Sequence, residues 1–189
     1  MPHITPEQAG SRNMCAYLDT LAFAEIGSAM LAASDDGYDL LVGSLPGRLK
    51  RFDSYADHPL PRKSDAIQYS KGVWSTAAGR YQILSRYWRH YQKQLSLPDF
   101  GPVSQDRYAI QQIKEQRALD AVHAGEIDDA IRLCSNIWAS LPGAGYGQHE
   151  HTMGNLIVEF VNAGGILSPE DALHWFDELK IAGRRDERQ

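Results

Sequence analysis

DDGYDLLVGSLPGRLKRFDSY, residues 35–55, is the stretch on which the fold turns. Asp35-Asp36-Gly37 reads as a turn, Tyr38–Val42 as a short β-rich run, Leu45-Pro46-Gly47 as a second turn, and Leu49–Tyr55 as a returning strand. One small hairpin is predicted there, and the pattern around it is helical. Upstream, Thr5 can cap, Pro6 suits a first helical position and Gln8 completes a capping box. Met14, Leu18, Leu21, Ala22 and Glu25 then recur at three or four, predicting one helix to Glu25 or Ile26 that Gly27 stops. Residues 58–73 carry proline and polar breaks without a period and read as a loop. From Gly79 onward Tyr81, Leu84, Tyr87, Trp88, Tyr91 and Leu95 follow the helical period. Ser104 can cap the next helix, and Ile127, Ala130, Ile131, Cys134 and Trp138 mark another. Met153, Leu156, Ile157 and Phe160 mark one that Gly164-Gly165 stops, and Ser168-Pro169 starts the last. The expected class is α+β: about six helices, with one hairpin after the first, the two parts flanking a cleft.

Composition narrows the function. With 189 residues, of which 43% are hydrophobic and 23% charged, the chain can bury a core without disulfide or metal staples. A net charge of −5 argues against nucleic acid as the main partner, since phosphate binding needs a basic surface. No apolar run approaches the ~20 residues that span a bilayer. Met1–Gly10 has neither a basic nor an apolar leader region, so no membrane anchor and no secretory signal are expected, and synthesis is placed in the cytoplasm. Cys15 and Cys134 make no disulfide framework and read as two buried thiols.

Three features could carry chemistry. Glu25 falls on the apolar stripe of the first helix, at its C-terminus. Lost water and the helix dipole would both raise its pKa, the condition for a general acid near neutral pH; a solvated carboxylate at a frayed end is the alternative. Ser75–Gln82 (STAAGRYQ) combines small residues with hydroxyls and an amide suited to sugar groups, or is an ordinary capped helix start. Leu141–Gln148 alternates Gly143, Gly145 and Gly147 around Tyr146, which could stack on a sugar ring or cover the core. It follows no strand and is no dinucleotide fingerprint. His149-Glu150-His151 lacks the four-residue His spacing of zinc helices, so no metal and no cofactor are expected.

Taken together, these segments resemble the lambda-type phage endolysins, lytic transglycosylases with a lysozyme-like fold. The matching stretches are Leu21–Glu25, Gly37–Val42, Asp53–Pro59, Ser75–Gln82 and Ser135–Gly147, in order from about Met14 to Gly165. Where that family usually reads Ser-Glu-Gly-Thr, this chain reads Ala24-Glu25-Ile26-Gly27. The resemblance implies one catalytic domain over residues 1–167, with 168–189 as an extra helix and charged tail. It implies Glu25 as the catalytic acid, and Tyr38, Asp39, Ser75, Thr76, Tyr81, Gln82, Trp138, Tyr146 and Gln148 as glycan-binding residues. The implied substrate is peptidoglycan, cut between N-acetylmuramic acid and N-acetylglucosamine with formation of a 1,6-anhydro sugar. A monomer made in the host cytoplasm and released to the periplasm through a holin's hole is implied as well. A hydrolytic muramidase using Asp35, Asp36 or Asp39 as second carboxylate, and a non-catalytic glycan-binding module, are the competing readings.

Overall fold

The structure is a computed structural model that describes residues 1–147, 149–177 and 179–180. In chain order its elements are α1 (Pro6–Ala9), α2 (Arg12–Ile26), α3 (Ser28–Ala32), a 3-10 turn (Lys63–Asp65), β1 (Ile67–Ser70), β2 (Val73–Ser75), β3 (Ala77–Ala78), β4 (Ile83–Leu84), α4 (Ser85–Gln94), α5 (Pro102–Glu115), α6 (Leu119–Ala124), α7 (Ile127–Cys134), α8 (Met153–Asn162) and α9 (Pro169–His174). They fall into two compact units. One comprises Met1, Thr5–Ala24 and the chain from Ile110 onward; the other comprises Pro2–Ile4 and Glu25–Ala109.

The first unit is helical. Thr5 accepts from the Gln8 N–H, the Gln8 side chain accepts from the Thr5 N–H, and Pro6 occupies the first turn, as the sequence predicts. The single long helix does not form, because Gly10 at φ +96° adopts the left-handed conformation that ends α1. The chain restarts as α2, whose Met14, Tyr17, Leu18 and Leu21 are fully buried. On α7, Ile127, Ala130, Ile131 and Cys134 recur at i, i+3, i+4 and i+7, and all four are buried. Tyr17 donates to the Ala130 carbonyl at 3.1 Å, joining the two stripes. Cys15 and Cys134 are buried and form no disulfide. Thr152 caps α8 by accepting from the Asn155 N–H. Ser168 caps α9 in the same way, and Asp171 accepts from the Asp128 N–H at 3.0 Å in the first turn of α7.

The second unit holds the β structure, and here the structure corrects the sequence at three points. The 35–55 hairpin is present, but as an irregular ladder. The Leu41 N–H donates to the Lys50 carbonyl at 2.8 Å and the Phe52 N–H to the Asp39 carbonyl at 3.0 Å, with Leu40 bridging Arg51. Its inner run is also paired on the other side: the Gly79 N–H donates to the Leu40 carbonyl at 2.7 Å. Residues 58–73 are not all loop, because β1 pairs antiparallel with β2 across Lys71-Gly72. The predicted helix from Gly79 begins only at Ser85. Gly79 (φ +76°) and Gln82 (φ +47°) turn the chain so that β3 pairs with β4, and neither conformation continues a helix. Likewise Ser104 is no cap; it lies inside α5 and donates to Asp99 at 3.0 Å.

The matched Asp53–Pro59 stretch does structural work. Asp57 accepts from its neighbour's N–H at 2.7 Å and from the Trp88 indole at 2.9 Å. His58, 3% exposed, accepts from the Leu60 N–H at Nδ1 and so donates from Nε2 to the Ile83 carbonyl at 2.9 Å. The Nδ1 contact requires the neutral ring, and burial lowers its pKa against the opposing bond to the Ile83 carbonyl. The folded value therefore lies below the unfolded one of about 6.5, so this contribution is present above that pH and is lost as pH falls through the folded pKa. The drop in melting temperature between about pH 7 and pH 5 should be larger for the wild type than for His58→Gln; equal drops would show that His58 is not the group responsible.

Candidate active site

Glu25 is the penultimate residue of α2 and is half-buried. Gly27, at φ +84°, breaks the chain after it and starts α3. The following turn is packed hard against this helix end. A Cβ on Gly37 would stand 2.6 Å from Ile26 Cδ1, 2.9 Å from Leu31 Cδ2 and 3.5 Å from the Cα of Arg80. Only glycine fits at that left-handed, crowded position. Residues 35–39 are therefore seated on the residue next to Glu25.

That turn contains the three other carboxylates of interest, and each is engaged within its own unit. Arg80, 1% exposed, donates to the Asp36 carbonyl at 2.6 Å and pairs with its carboxylate at 2.7 Å. Asp39 is 4% exposed, accepts from the Asp35 N–H at 3.1 Å and pairs with Arg51. Asp35 accepts from the Tyr55 hydroxyl at 2.6 Å. Burial, reinforced by the Asp35 carboxylate, pushes the Tyr55 hydroxyl pKa well above its ordinary value. Ser34, Asp35, Asp39, Arg51, Phe52, Asp53 and Tyr55 line an open recess of about 750 Å³, a size in the range of small-ligand sites.

Three residues expected to bind glycan are core residues instead. Tyr38 and Tyr81, 0% and 2% exposed, both donate to Asp106 Oδ1 at 2.7 Å. Burial and that carboxylate raise both phenol pKa values far above normal. Trp138, 4% exposed, lies beyond the end of α7 and still belongs to the interior of the first unit. A polymer on the surface reaches none of the three; they hold the backbone on which other groups sit. Asp39 is nearly as buried, and its carboxylate is committed to Arg51.

The other expected positions are more accessible. Ser75, Thr76 and Gln82 are half-buried, with much of their hydrogen-bonding taken locally. Ser75 accepts from the Ala77 N–H, Thr76 accepts from Ser85, and the Gln82 amide donates to the Gly79 carbonyl at 3.0 Å. Tyr146 is 57% exposed, with its hydroxyl donating to the Asn136 carbonyl at 2.7 Å, so its ring is held in place while uncovered. Gln148 lies outside the described residues.

Sequence reasoning missed the residue that shapes the glycine loop. Glu150 accepts from the Gly145 N–H at 2.8 Å and from the Gly143 N–H at 2.9 Å, and these two bonds lower its pKa. An acid just past a run of glycines, whose exposed N–H groups form an anion-binding concavity, was the available signal. His151 follows. Its N–H donates to the Ser140 carbonyl at 2.9 Å, and its ring lies 5.1 Å from Phe23 and 5.3 Å from His149. Burial and the neighbouring His149 lower its pKa. Among the described residues no group of three His, Cys, Asp or Glu side chains is arranged to hold a metal ion. No helix among them is long and apolar enough to cross a membrane.

A helical chain with small antiparallel sheets and an acid ending its long N-terminal helix has the α+β, lysozyme-like architecture. The comparisons with known proteins agree. The solved lysozyme of bacteriophage lambda in complex with a chitohexasaccharide matches with a TM-score of 0.75 and 45% identity, covering 88% of this chain and 99% of that one. A further structure of lysozyme from bacteriophage lambda matches with a TM-score of 0.70 and 44% identity, over the same shares. The Endolysin family model matches residues 15–167. The endolysin of Escherichia phage P2 is 48% identical over 167 residues, 88% of this chain and 99% of the relative. That of Escherichia phage lambda is 50% identical over 157 residues, 82% and 94%. The chain belongs to the endolysin family, whose members degrade peptidoglycan.

Proposed function

We propose that this endolysin cuts the glycan strands of peptidoglycan by transglycosylation, with Glu25 as the acid and then the base. The observation that carries this reading is the commitment of the neighbouring carboxylates: Asp36 to buried Arg80, Asp39 to Arg51, and Asp35 to Tyr55. A carboxylate whose oxygens are already held by an arginine has less freedom to hold and orient an attacking water. A mechanism that asks for no second carboxylate to activate water fits such a site better than a paired-acid hydrolysis. Protonated Glu25 donates to the glycosidic oxygen as an oxocarbenium-like centre develops at C1. The leaving N-acetylglucosamine departs with that proton. Glu25, now a carboxylate, accepts the proton of the muramic acid's own C6 hydroxyl as its oxygen bonds to C1. The proton given up is regained, and no water is consumed. Holding the nucleophile on the substrate replaces a bimolecular step with an intramolecular one.

Exposed Tyr146 and the half-buried Ser75, Thr76 and Gln82 are assigned to glycan binding, an assignment supported by the chitohexasaccharide bound to the lambda lysozyme. The family match ends at residue 167, which supports reading residues 168–189 as an addition to a catalytic domain over 1–167. The protein is assigned to the host cytoplasm on synthesis, acting as a monomer on periplasmic peptidoglycan after release through a partner's membrane hole.

A hydrolytic reading has one observation in its favour: Asp35 lines the open recess, where water could be held. Asp36→Asn and Asp39→Asn would disturb half-buried ion pairs, so Asp35→Asn is the clean discriminator. On one peptidoglycan preparation its turnover should stay within about tenfold of wild type, less than general acid–base loss produces. A folded Asp35→Asn protein as inactive as Glu25→Gln would establish the paired-acid muramidase instead.

A further inference from the structure

Glycine loses more conformational freedom on ordering than any other residue, so a loop of alternating glycines keeps one shape only if something holds it. Gly143 and Gly145 adopt φ +80° and +71°, and a Cβ on either would meet nothing within 4 Å. Packing therefore does not wedge these two residues in place. The loop is closed at its base, where Leu141 is fully buried and the His151 N–H donates to the Ser140 carbonyl at 2.9 Å. Its crown is held by Glu150: Oε1 accepts from the Gly145 N–H at 2.8 Å and Oε2 from the Gly143 N–H at 2.9 Å. Such charge-assisted bonds are stronger than neutral ones. Tyr146 follows Gly145 directly. Its hydroxyl donates to the Asn136 carbonyl, and the Asn136 amide donates to Gln116 of α5 at 2.9 Å. The exposed ring is thus tied at both ends, its backbone through Glu150 and its hydroxyl through Asn136.

We propose that Glu150 is a positioning residue for Tyr146: by holding the amides of Gly143 and Gly145, its carboxylate fixes the glycine loop so that a glycan strand meets the ring already in place. The inference rests on the assignment of Tyr146 to glycan binding.

Order present before binding does not have to be created by binding, and that saving appears as affinity. Without Glu150 the glycine backbone regains its freedom, and a sugar ring must order the loop as it stacks on Tyr146. The tie through Asn136 remains, so losing Glu150 loosens one end only, and its effect is smaller than that of removing the ring itself. Each Glu150 oxygen is bonded to the loop's own backbone, so the group acts on where Tyr146 stands. A bound strand has already ordered the loop, and its cleavage does not feel the loss. Glu150 therefore bears on KM and leaves kcat alone.

The test combines the Kd for a chitohexasaccharide, measured by calorimetry, with steady-state cleavage of purified glycan strands, scored as bonds cut whatever the chemistry of the new end. Glu150→Ala removes both acceptors, whereas Glu150→Gln keeps one oxygen to accept with. Glu150→Ala should raise Kd and KM about threefold to tenfold, with kcat within about twofold of wild type. Glu150→Gln should fall between that variant and the wild type. Tyr146→Ala should raise Kd further than either. Adding Glu150→Ala to Tyr146→Ala should cost nothing more, because a positioning residue has no effect once the group it positions is gone. Unchanged Kd in Glu150→Ala, a loss confined to kcat, or the same fold loss repeated on Tyr146→Ala would each overturn the proposal. Tyr146→Ala binding the sugar like wild type would instead remove the reading on which it rests, and the proposal with it.

Discussion

Glu25→Gln should lower peptidoglycan turnover by ~10²–10⁴-fold or more while the protein stays folded. The amide keeps the shape of the side chain and cannot give a proton to the leaving oxygen. General acid–base assistance is usually counted for one transfer; in the proposed mechanism the same group serves both, so the upper end of that range is expected. The fold should survive because Glu25 is half-buried near the end of a helix, where removing negative charge also relieves the C-terminal dipole. Turnover and circular dichroism on the same preparations check both halves. A folded Glu25→Gln protein within tenfold of wild type would show that the acid lies elsewhere.

The largest expected effect on stability is at Asp106. Its carboxylate is 0% exposed and accepts three buried donors: the Tyr38 and Tyr81 hydroxyls at 2.7 Å each, and the Ile4 N–H at 2.9 Å. Asp106→Ala leaves all three without their acceptor. Each stranded donor costs about 1–3 kcal/mol, giving a loss on the order of 3–9 kcal/mol for the three. That is a large part of the 5–15 kcal/mol that typically holds a domain together. Asp106→Asn keeps an oxygen acceptor and should lose less. Urea unfolding midpoints for the two variants test the ranking; a loss under about 1 kcal/mol for Asp106→Ala would mean that the network is not holding the unit.

This network also marks the limit of what could be read from the sequence. Periodicity located α7 and α8, and capping chemistry located the start of α1 and α9, because those signals lie within a few residues of the structure they specify. Nothing local says that Tyr38 and Tyr81 will be buried; their shared partner is 68 and 25 residues away. An aromatic residue beside glycines and small side chains looks the same whether it faces a ligand or a buried carboxylate. The β1–β2 hairpin was missed for a different reason. Its strands are short and largely exposed, so they have no alternation of apolar and polar positions to detect. Tyr69 and Trp74 around Lys71-Gly72 were the only local hint. Tyr81 matched a helical period by coincidence, since the positive φ at Gln82 depends on the pairing of β3 with β4. At the proposed site, the place of Glu25 on the stripe of α2 was legible. Arg80 and Arg51, which commit its neighbours, were not, since an ion pair is visible only once the chain is folded.

The most direct test of the account is mass spectrometry of the fragments released from peptidoglycan by the wild-type protein. The account expects muropeptides ending in 1,6-anhydro-muramic acid, each lighter by one water than the corresponding hydrolysis product. Fragments ending mainly in reducing muramic acid would contradict it, and would place a water molecule where the C6 hydroxyl is proposed to attack.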